Sequence, residues 1–197
     1  MSSARSKSSS APLDSALQNA ARHVLRAADG FRQSAPVVLI DGRSGAGKST
    51  LARLLTEFES NSARMQLIAL DDIYPGWDGL DDGVAYVRQH VLEPHARGEV
   101  ARWQRWDWER DCRAEHSEVD PDRSLVIEGS GIITELTMPF ASVAVWLDAP
   151  DLARKQRALG RDGDTYSPHW ERWAAQEEAH ILRDQPSARA TLRFDLP

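Results

Sequence analysis

The 197-residue sequence has one cysteine, Cys112, so no internal disulfide can form and the chain suits a reducing cytoplasm. Cys112 itself reads as an incidental loop thiol. No apolar run approaches the length of a membrane span, and no secretory hydrophobic segment follows the start. Basic charge is in deficit. Lys and Arg total 24 against 30 Asp and Glu, a formal net charge of −6, which argues against binding a nucleic-acid polymer with its need for a basic face. Asparagine is almost missing: Asn19 and Asn61 are the only two and neither precedes a lysine, so the Asn-Lys-x-Asp signature that reads guanine is absent. Also absent are an internal repeat, the Leu-Ser-Gly-Gly-Gln of transporter ATPases and the length needed for a motor or helicase core. What is left is ordinary globular composition, 41% hydrophobic and 27% charged, with enough chain for one α/β domain.

Within that frame the stretch Asp41-Gly42-Arg43-Ser44-Gly45-Ala46-Gly47-Lys48-Ser49-Thr50 meets G-x-x-x-x-G-K-[ST] at every fixed position. Val37, Val38, Leu39 and Ile40 before it read as a short buried strand. Leu51, Leu54, Leu55 and Phe58 after it fall at helical spacing. Strand, glycine loop and helix in that order are what phosphate binding needs. Glycines let consecutive backbone N–H groups turn inward, and the helix N-terminus adds positive potential. The loop residues Gly42, Arg43, Ser44, Gly45, Ala46, Gly47, Lys48, Ser49 and Thr50 are therefore expected to hold a nucleoside triphosphate. Lys48 would reach the β- and γ-phosphates, and the Ser49 hydroxyl would ligate Mg²⁺.

The remaining elements follow in order. Residues 1–12 are Ser/Ala-rich with nothing to bury and read as a disordered tail ahead of a single domain over 13–197. Ala16, Leu17, Ala20, Ala21, Val24 and Leu25 form a helix read as packing only, capped near Asp14 or Ser15 and stopped at Gly30. Met65 to Leu70 is a second strand ending in Asp71-Asp72-Ile73-Tyr74. Ligands of open α/β sheets sit at the carboxyl ends of strands, so Asp71 is expected to act as a base or Mg²⁺ ligand, with a plain helix cap as the alternative for such an acidic pair. Val84 to Leu92 is an amphipathic helix ending near Pro94 or Gly98. Arg102-Trp103-Gln104-Arg105-Trp106-Asp107-Trp108 holds three of the seven tryptophans. It reads equally as a hairpin or loop covering an apolar edge, or as an aromatic wall with a carboxylate for an acceptor, with Trp103, Trp106 and Asp107 as contacts. Cys112 to Asp122 reads as a polar loop. Ser124 to Ile127 is a third strand that delivers Glu128 to the position of a second Mg²⁺-binding carboxylate. Ala141 to Leu147 is a fourth strand. Asp151 to Gly163 reads as an arginine-rich helix in which Arg154, Arg157 and Arg161 share a face, read as a lid over transferring phosphate rather than a solvated surface. A helix with Pro168 at its start follows, its face of Trp170, Trp173, Ala174, Glu177 and Ile181 read as packing, and Ala190 to Asp195 is a last strand.

These motifs resemble the uridine kinase and phosphoribulokinase group of P-loop small-molecule kinases. The glycine loop is shared. Asp71-Asp72-Ile73-Tyr74 is similar to that group's D-x-F-Y, and Glu128-Gly129 to its E-G. Arg157-x-x-x-Arg161-Asp162 is similar to its lid motif, and Gln104 to Trp108 to its P-x-Y-D-F. A closer likeness is to uncharacterised actinobacterial ATP-binding proteins sharing D-D-I-Y-P-G-W and P-H-W-E-R-W-A-A-Q-E. The resemblance implies a doubly wound, five-stranded parallel sheet with helices on both faces and an arginine-rich lid at about 151–165. It implies ATP- and Mg²⁺-dependent phosphorylation of a small hydroxylated acceptor, a nucleoside or nucleotide before a sugar or vitamin precursor. Lys48, Asp71, Arg157 and Arg161 would be catalytic, and Ser49, Asp71 and Glu128 would hold the metal. Asp71, Tyr74, Trp103, Trp106 and Asp107 would bind the acceptor. Ile73 replaces an aromatic and the acceptor motif lacks its proline, so uridine itself is not the expected acceptor. A homodimer stays open. The competing reading is an ATP-binding regulatory protein or slow ATPase without an acceptor.

Overall fold

The computed structural model describes residues 11–31, 35–58 and 65–197, the side chains of Phe58 and Asp162 excepted. Ten of the twelve residues expected as a tail, 1–10, lie outside this range. The elements are α1 (Ala11–Asp29), β1 (Val37–Gly42), α2 (Lys48–Phe58), β2 (Gln66–Ala69), α3 (Leu80–Val87), α4 (Glu93–Ala96), β3 (Ala101–Asp107), β4 (Cys112–Val119), β5 (Leu125–Glu128), β6 (Val143–Asp148), α5 (Asp151–Tyr166), α6 (Trp170–Asp184), α7 (Pro186–Arg189) and β7 (Leu192–Asp195). A π-helical turn, Arg88–Leu92, joins α3 to α4, so the helical path passes Pro94 and stops at Gly98, whose φ is 72°.

Five strands make one parallel sheet in the order β2-β5-β1-β6-β7. The phosphate-loop strand β1 sits at its centre, flanked by β5 and β6. The strands are apolar on both sides because the sheet is covered on both. Along β1 the alternation divides them: Val37 and Leu39 face a core with Val87, Val91 and Trp173, while Val38 and Ile40 face one with Leu17, Val24, Leu51 and Leu55. This is the fold class expected from the sequence, a doubly wound P-loop arrangement with helices on both faces. No helix among the described residues is long and apolar enough to cross a membrane.

Two local expectations change. Cys112 to Val119 is a strand, not a loop, and pairs antiparallel with β3 in a separate two-stranded sheet. Its polar sequence hides the strand because much of it faces solvent, and cross-strand ion pairs Arg102–Glu118 and Arg105–Glu115 take the place of apolar partners. The helix α1 begins at Ala11, earlier than its capping signals suggest. Its first two turns reach further than packing, as described below.

Candidate functional site

Every parallel strand delivers its carboxyl end to the same edge, and there the sequence motifs meet. Register pairs Ile40 of β1 with Glu128 of β5, and Ala69 of β2 with the same glutamate. The loop after β1, the turn Leu70–Asp72 after β2 and the Glu128–Gly131 stretch after β5 therefore converge. They border a cleft of about 640 Å³ lined by Ser44, Gly45, Gly47, Lys48, Ser49, Thr50, Asp71, Tyr74, Glu128, Arg157 and Arg161 from among the expected site residues. That volume suits a nucleotide and a small second ligand.

The loop itself is fixed by buried carboxylates. Asp41 is 1% exposed; its Oδ1 accepts the backbone N–H groups of Gly42 (2.7 Å) and Gly131 (2.9 Å), and its Oδ2 that of Ile133 (2.8 Å). Glu177 of α6 is as deeply placed, and its Oε1 accepts Ser44 N–H (2.7 Å), Ser44 Oγ (2.7 Å), Ser130 Oγ (2.9 Å) and Trp173 Nε1 (3.1 Å). Gly45 has φ +78°, and a Cβ there would overlap the Arg154 carbonyl oxygen, so only glycine fits. Gly42, Arg43 and Ala46 shape the loop from behind rather than line the cleft. The Gly42 carbonyl accepts Lys48 Nζ at 2.7 Å, Arg43 pairs with Glu178, and Ala46 is fully buried.

Lys48 Nζ also donates to the Arg43 carbonyl (3.2 Å) and Ser130 Oγ (3.2 Å), which holds the ammonium at the loop mouth. Ser49 hydrogen-bonds the Glu128 carboxylate, so two of the three residues expected to hold Mg²⁺ are in contact. Burial raises the Glu128 pKa; Lys48 opposes that and Asp71 adds to it. Among the described residues no group of three His, Cys, Asp or Glu could hold a metal alone. That donor set fits Mg²⁺, which binds through one or two protein oxygens plus phosphates and water. Asp71 opens into the cleft with its side chain 63% exposed, and Arg161 Nη2 stands 3.9 Å from its Oδ2.

The arginines of α5 divide. Arg161 is at the Asp71 end. Arg154, expected to share its face, is instead 4% exposed and braces the loop, donating to Ser44 O and Ala149 O at 3.1 Å. Arg157 gives Nη1 to the Pro197 carbonyl at 2.9 Å. The Asp162 carboxylate of the lid motif lies outside the described residues. At Gly163 (φ 52°, ψ −130°) the helix breaks, and Tyr166 beyond the break donates to Ser44 Oγ at 2.8 Å.

One wall of the cleft is aromatic, but not the one expected from the tryptophan run. Trp103 is buried in the core at 8% exposure. Trp106 stays with the hairpin, its ring 5.4 Å from the Arg113 guanidinium, and Asp107 caps the hairpin turn by accepting Glu109 N–H (3.0 Å) and Arg110 N–H (3.1 Å). None of the three lines the cleft. The register shift between Gln104 and Trp106 re-aims the strand, and Trp108 is the member that reaches it, donating Nε1 to the Asp71 carbonyl at 2.8 Å. Trp77 is the hub: its ring lies 5.0 Å from Trp108 and 5.4 Å from Tyr166, and stacks on His169 at 4.3 Å. Tyr74 and Trp173 meet edge to face with ring centroids 4.8 Å apart, while the Tyr74 hydroxyl donates inward to the Ser130 carbonyl at 2.7 Å. Burial, then Asp71, push its pKa well above 10. Tyr74 thus lines the cleft with its hydroxyl turned into the interior.

Sequence reasoning missed Trp77, Trp108, Ser130, Tyr166, Trp173, Glu177 and His180. A signal existed on α6, where Glu177, His180 and Asp184 interrupt the buried face begun by Trp173. His180 is 2% exposed and sits between Asp41 (Nε2 to Oδ2, 3.0 Å) and Asp184 (Nδ1 to Oδ2, 3.0 Å). Burial of the ring disfavours its charge, but the two aspartates outweigh burial and the net pKa stands above 6.5. A raised folded pKa contributes stability that is complete below about pH 6.5 and is lost as pH climbs through the folded value. His180→Gln is therefore expected to flatten the fall in melting temperature as pH rises above about 6.5, read from thermal melts beside the wild type.

No protein-family model matches the chain, and no curated protein matches it. Solved structures do. The “Possible Uridine Kinase from Bacillus stearothermophilus” aligns over 88% of this chain and 100% of its own, with 19% identity and a TM-score of 0.61. The “putative fructose transport system kinase from Silicibacter sp. TM1040” aligns over 90% and 98%, with 19% identity and a TM-score of 0.55. The chain shares the fold of these two structures.

Proposed function

We propose that the chain is a small-molecule kinase that moves the γ-phosphoryl group of Mg-ATP to a hydroxyl of a ring-bearing acceptor, with a nucleoside as the first candidate. The observation that carries this reading is the placement of Asp71 between Lys48, Ser49 and Glu128 on one side and the Trp77–Trp108 wall on the other, in one cleft. The two kinase-fold structures add support by analogy of fold. Asp71 takes the proton from the acceptor hydroxyl as its oxygen attacks phosphorus. Lys48 neutralises charge on the β- and γ-phosphates, and Arg161 steadies the group in transit. Mg²⁺, which Ser49 and Glu128 would hold, supplies further charge neutralisation on the same phosphates. At the acceptor end the wall is aromatic and Arg161 is already paired with Asp71. An uncharged nucleoside therefore fits better than a nucleotide, and a sugar or vitamin precursor comes next.

The test is ADP release from Mg-ATP across nucleosides, nucleoside monophosphates, sugars and vitamin precursors. One ring-bearing acceptor should raise turnover well above the blank. Trp77→Ala should then raise the acceptor KM about tenfold, because stacking on one aromatic ring is worth about 1–3 kcal/mol, with kcat less changed. A flat panel with ATP bound would instead support the regulatory or slow-ATPase reading.

A further inference from the structure

The cleft is also lined by the helix that the sequence marks as packing. Leu13 and Leu17, one turn apart on α1, line the cleft with Gly47, Thr50, Arg157 and Ala158. Leu17 is 1% exposed and packs against the phosphate loop; its Cδ2 would stand 3.4 Å from a Cβ placed on Gly47. Leu13 is only half-buried and keeps side-chain surface on the cleft. Beside them, Arg157 Nε and Nη2 are enclosed and have no hydrogen-bond partner among the described residues. Enclosed donors without acceptors are costly unless a ligand completes them. The phosphates belong at Lys48 and Ser49. The same cleft also offers two leucines and an alanine, which suit a flat apolar ring, with a guanidinium edge for its acceptor atoms.

We propose that Leu13, Leu17 and Arg157 form the subsite for the base and ribose of the triphosphate donor, so that α1 is a wall of the nucleotide site. The proposal rests on the donor reading above. It assigns Arg157 to the nucleoside end, while Arg161 remains at the reacting end.

Calorimetry of the full chain with Mg-ATP and with inorganic tripolyphosphate separates the two readings, since tripolyphosphate occupies the phosphate loop without a base. Wild type should bind ATP at least about tenfold tighter than tripolyphosphate. Leu13→Ala should weaken ATP about five- to tenfold and leave tripolyphosphate unchanged, because only apolar contact is removed. Leu13→Met, which restores reach and apolar surface, should keep ATP affinity within about twofold of wild type. Melting temperatures in the absence of ligand confirm that each variant is folded. An ATP-to-tripolyphosphate ratio unchanged by Leu13→Ala overturns the subsite alone. Failure of wild type to bind either ligand overturns the donor reading and the subsite with it.

Discussion

Asp71→Asn is expected to lower the rate of phosphoryl transfer by about two to four orders of magnitude while ATP affinity stays within about twofold. The change is isosteric and removes the carboxylate charge, and with it both the capacity to accept a proton and the ion pair with Arg161. The Asp71 side chain is 63% exposed and follows a short 3₁₀ turn after β2, so the fold does not depend on its charge. The Trp108 indole still donates to the Asp71 backbone carbonyl, so the aromatic wall keeps its anchor. On the proposed reading the phosphate contacts would come from the loop and Lys48, which the substitution leaves alone. What remains is an acceptor hydroxyl that must ionise unaided. Single-turnover rates with Mg-ATP and the acceptor, beside equilibrium ATP binding, check both halves of the expectation. A variant with full turnover would remove Asp71 from catalysis. A variant that loses ATP binding in proportion would make it a nucleotide-site residue instead. The regulatory reading expects neither loss.

How much of this site the sequence reveals depends on how local each part is. The phosphate loop, Asp71 and Glu128 are legible because each follows from one strand and the turn it ends in. The rule that ligands gather at strand carboxyl ends then places the three together from the sequence alone. The aromatic wall has no such rule. Trp77 comes from the loop after β2, Trp108 from the β3–β4 turn, Tyr166 from beyond the break at Gly163 and Trp173 from α6. Only tertiary packing brings these four segments to one surface. The tryptophan run misleads for a related reason. A strand alternates faces, so Trp103 turns into the core, and a bulge that no sequence signal marks decides that Trp108 reaches the cleft.

The helix α1 is a milder case of the same limit. Its small and apolar positions correctly announce burial, since Leu17, Ala20, Ala21, Val24 and Ala28 all pack against the sheet. Nothing in their spacing says that the buried face continues one turn past the sheet edge and over the phosphate loop. On α6 the reverse holds. Glu177 and His180 are polar residues on a buried face, which is costly unless each has partners, and the partners prove to be the phosphate loop and Asp41. A buried carboxylate flanked by Trp173 and His180 in the sequence could have been read as a brace seeking donors.

Lys48→Ala is expected to do what Asp71→Asn does not, by weakening ATP binding and lowering turnover together. The ammonium is 9% exposed and held by the Gly42 and Arg43 carbonyls and by Ser130 Oγ, so its position at the loop mouth is set before nucleotide arrives. Removing one preorganised donor aimed at developing charge costs about 10²–10³ in turnover. Lys48→Arg should not rescue it, because the planar guanidinium is too large for the same three acceptors. A second consequence is electrostatic. Burial raises the Glu128 pKa, and Lys48 is the strongest opposing influence, with Asp71 acting in the same direction as burial. Without Lys48 that carboxyl rises further and stays protonated to higher pH. The acid limb of the residual activity should therefore move toward neutrality, and Mg²⁺ dependence should steepen as pH falls. A pH–rate profile of Lys48→Ala with an acid limb where wild type has it would show that Glu128 does not govern that limb. A variant that still binds Mg-ATP as tightly as wild type would place the phosphates elsewhere than this loop.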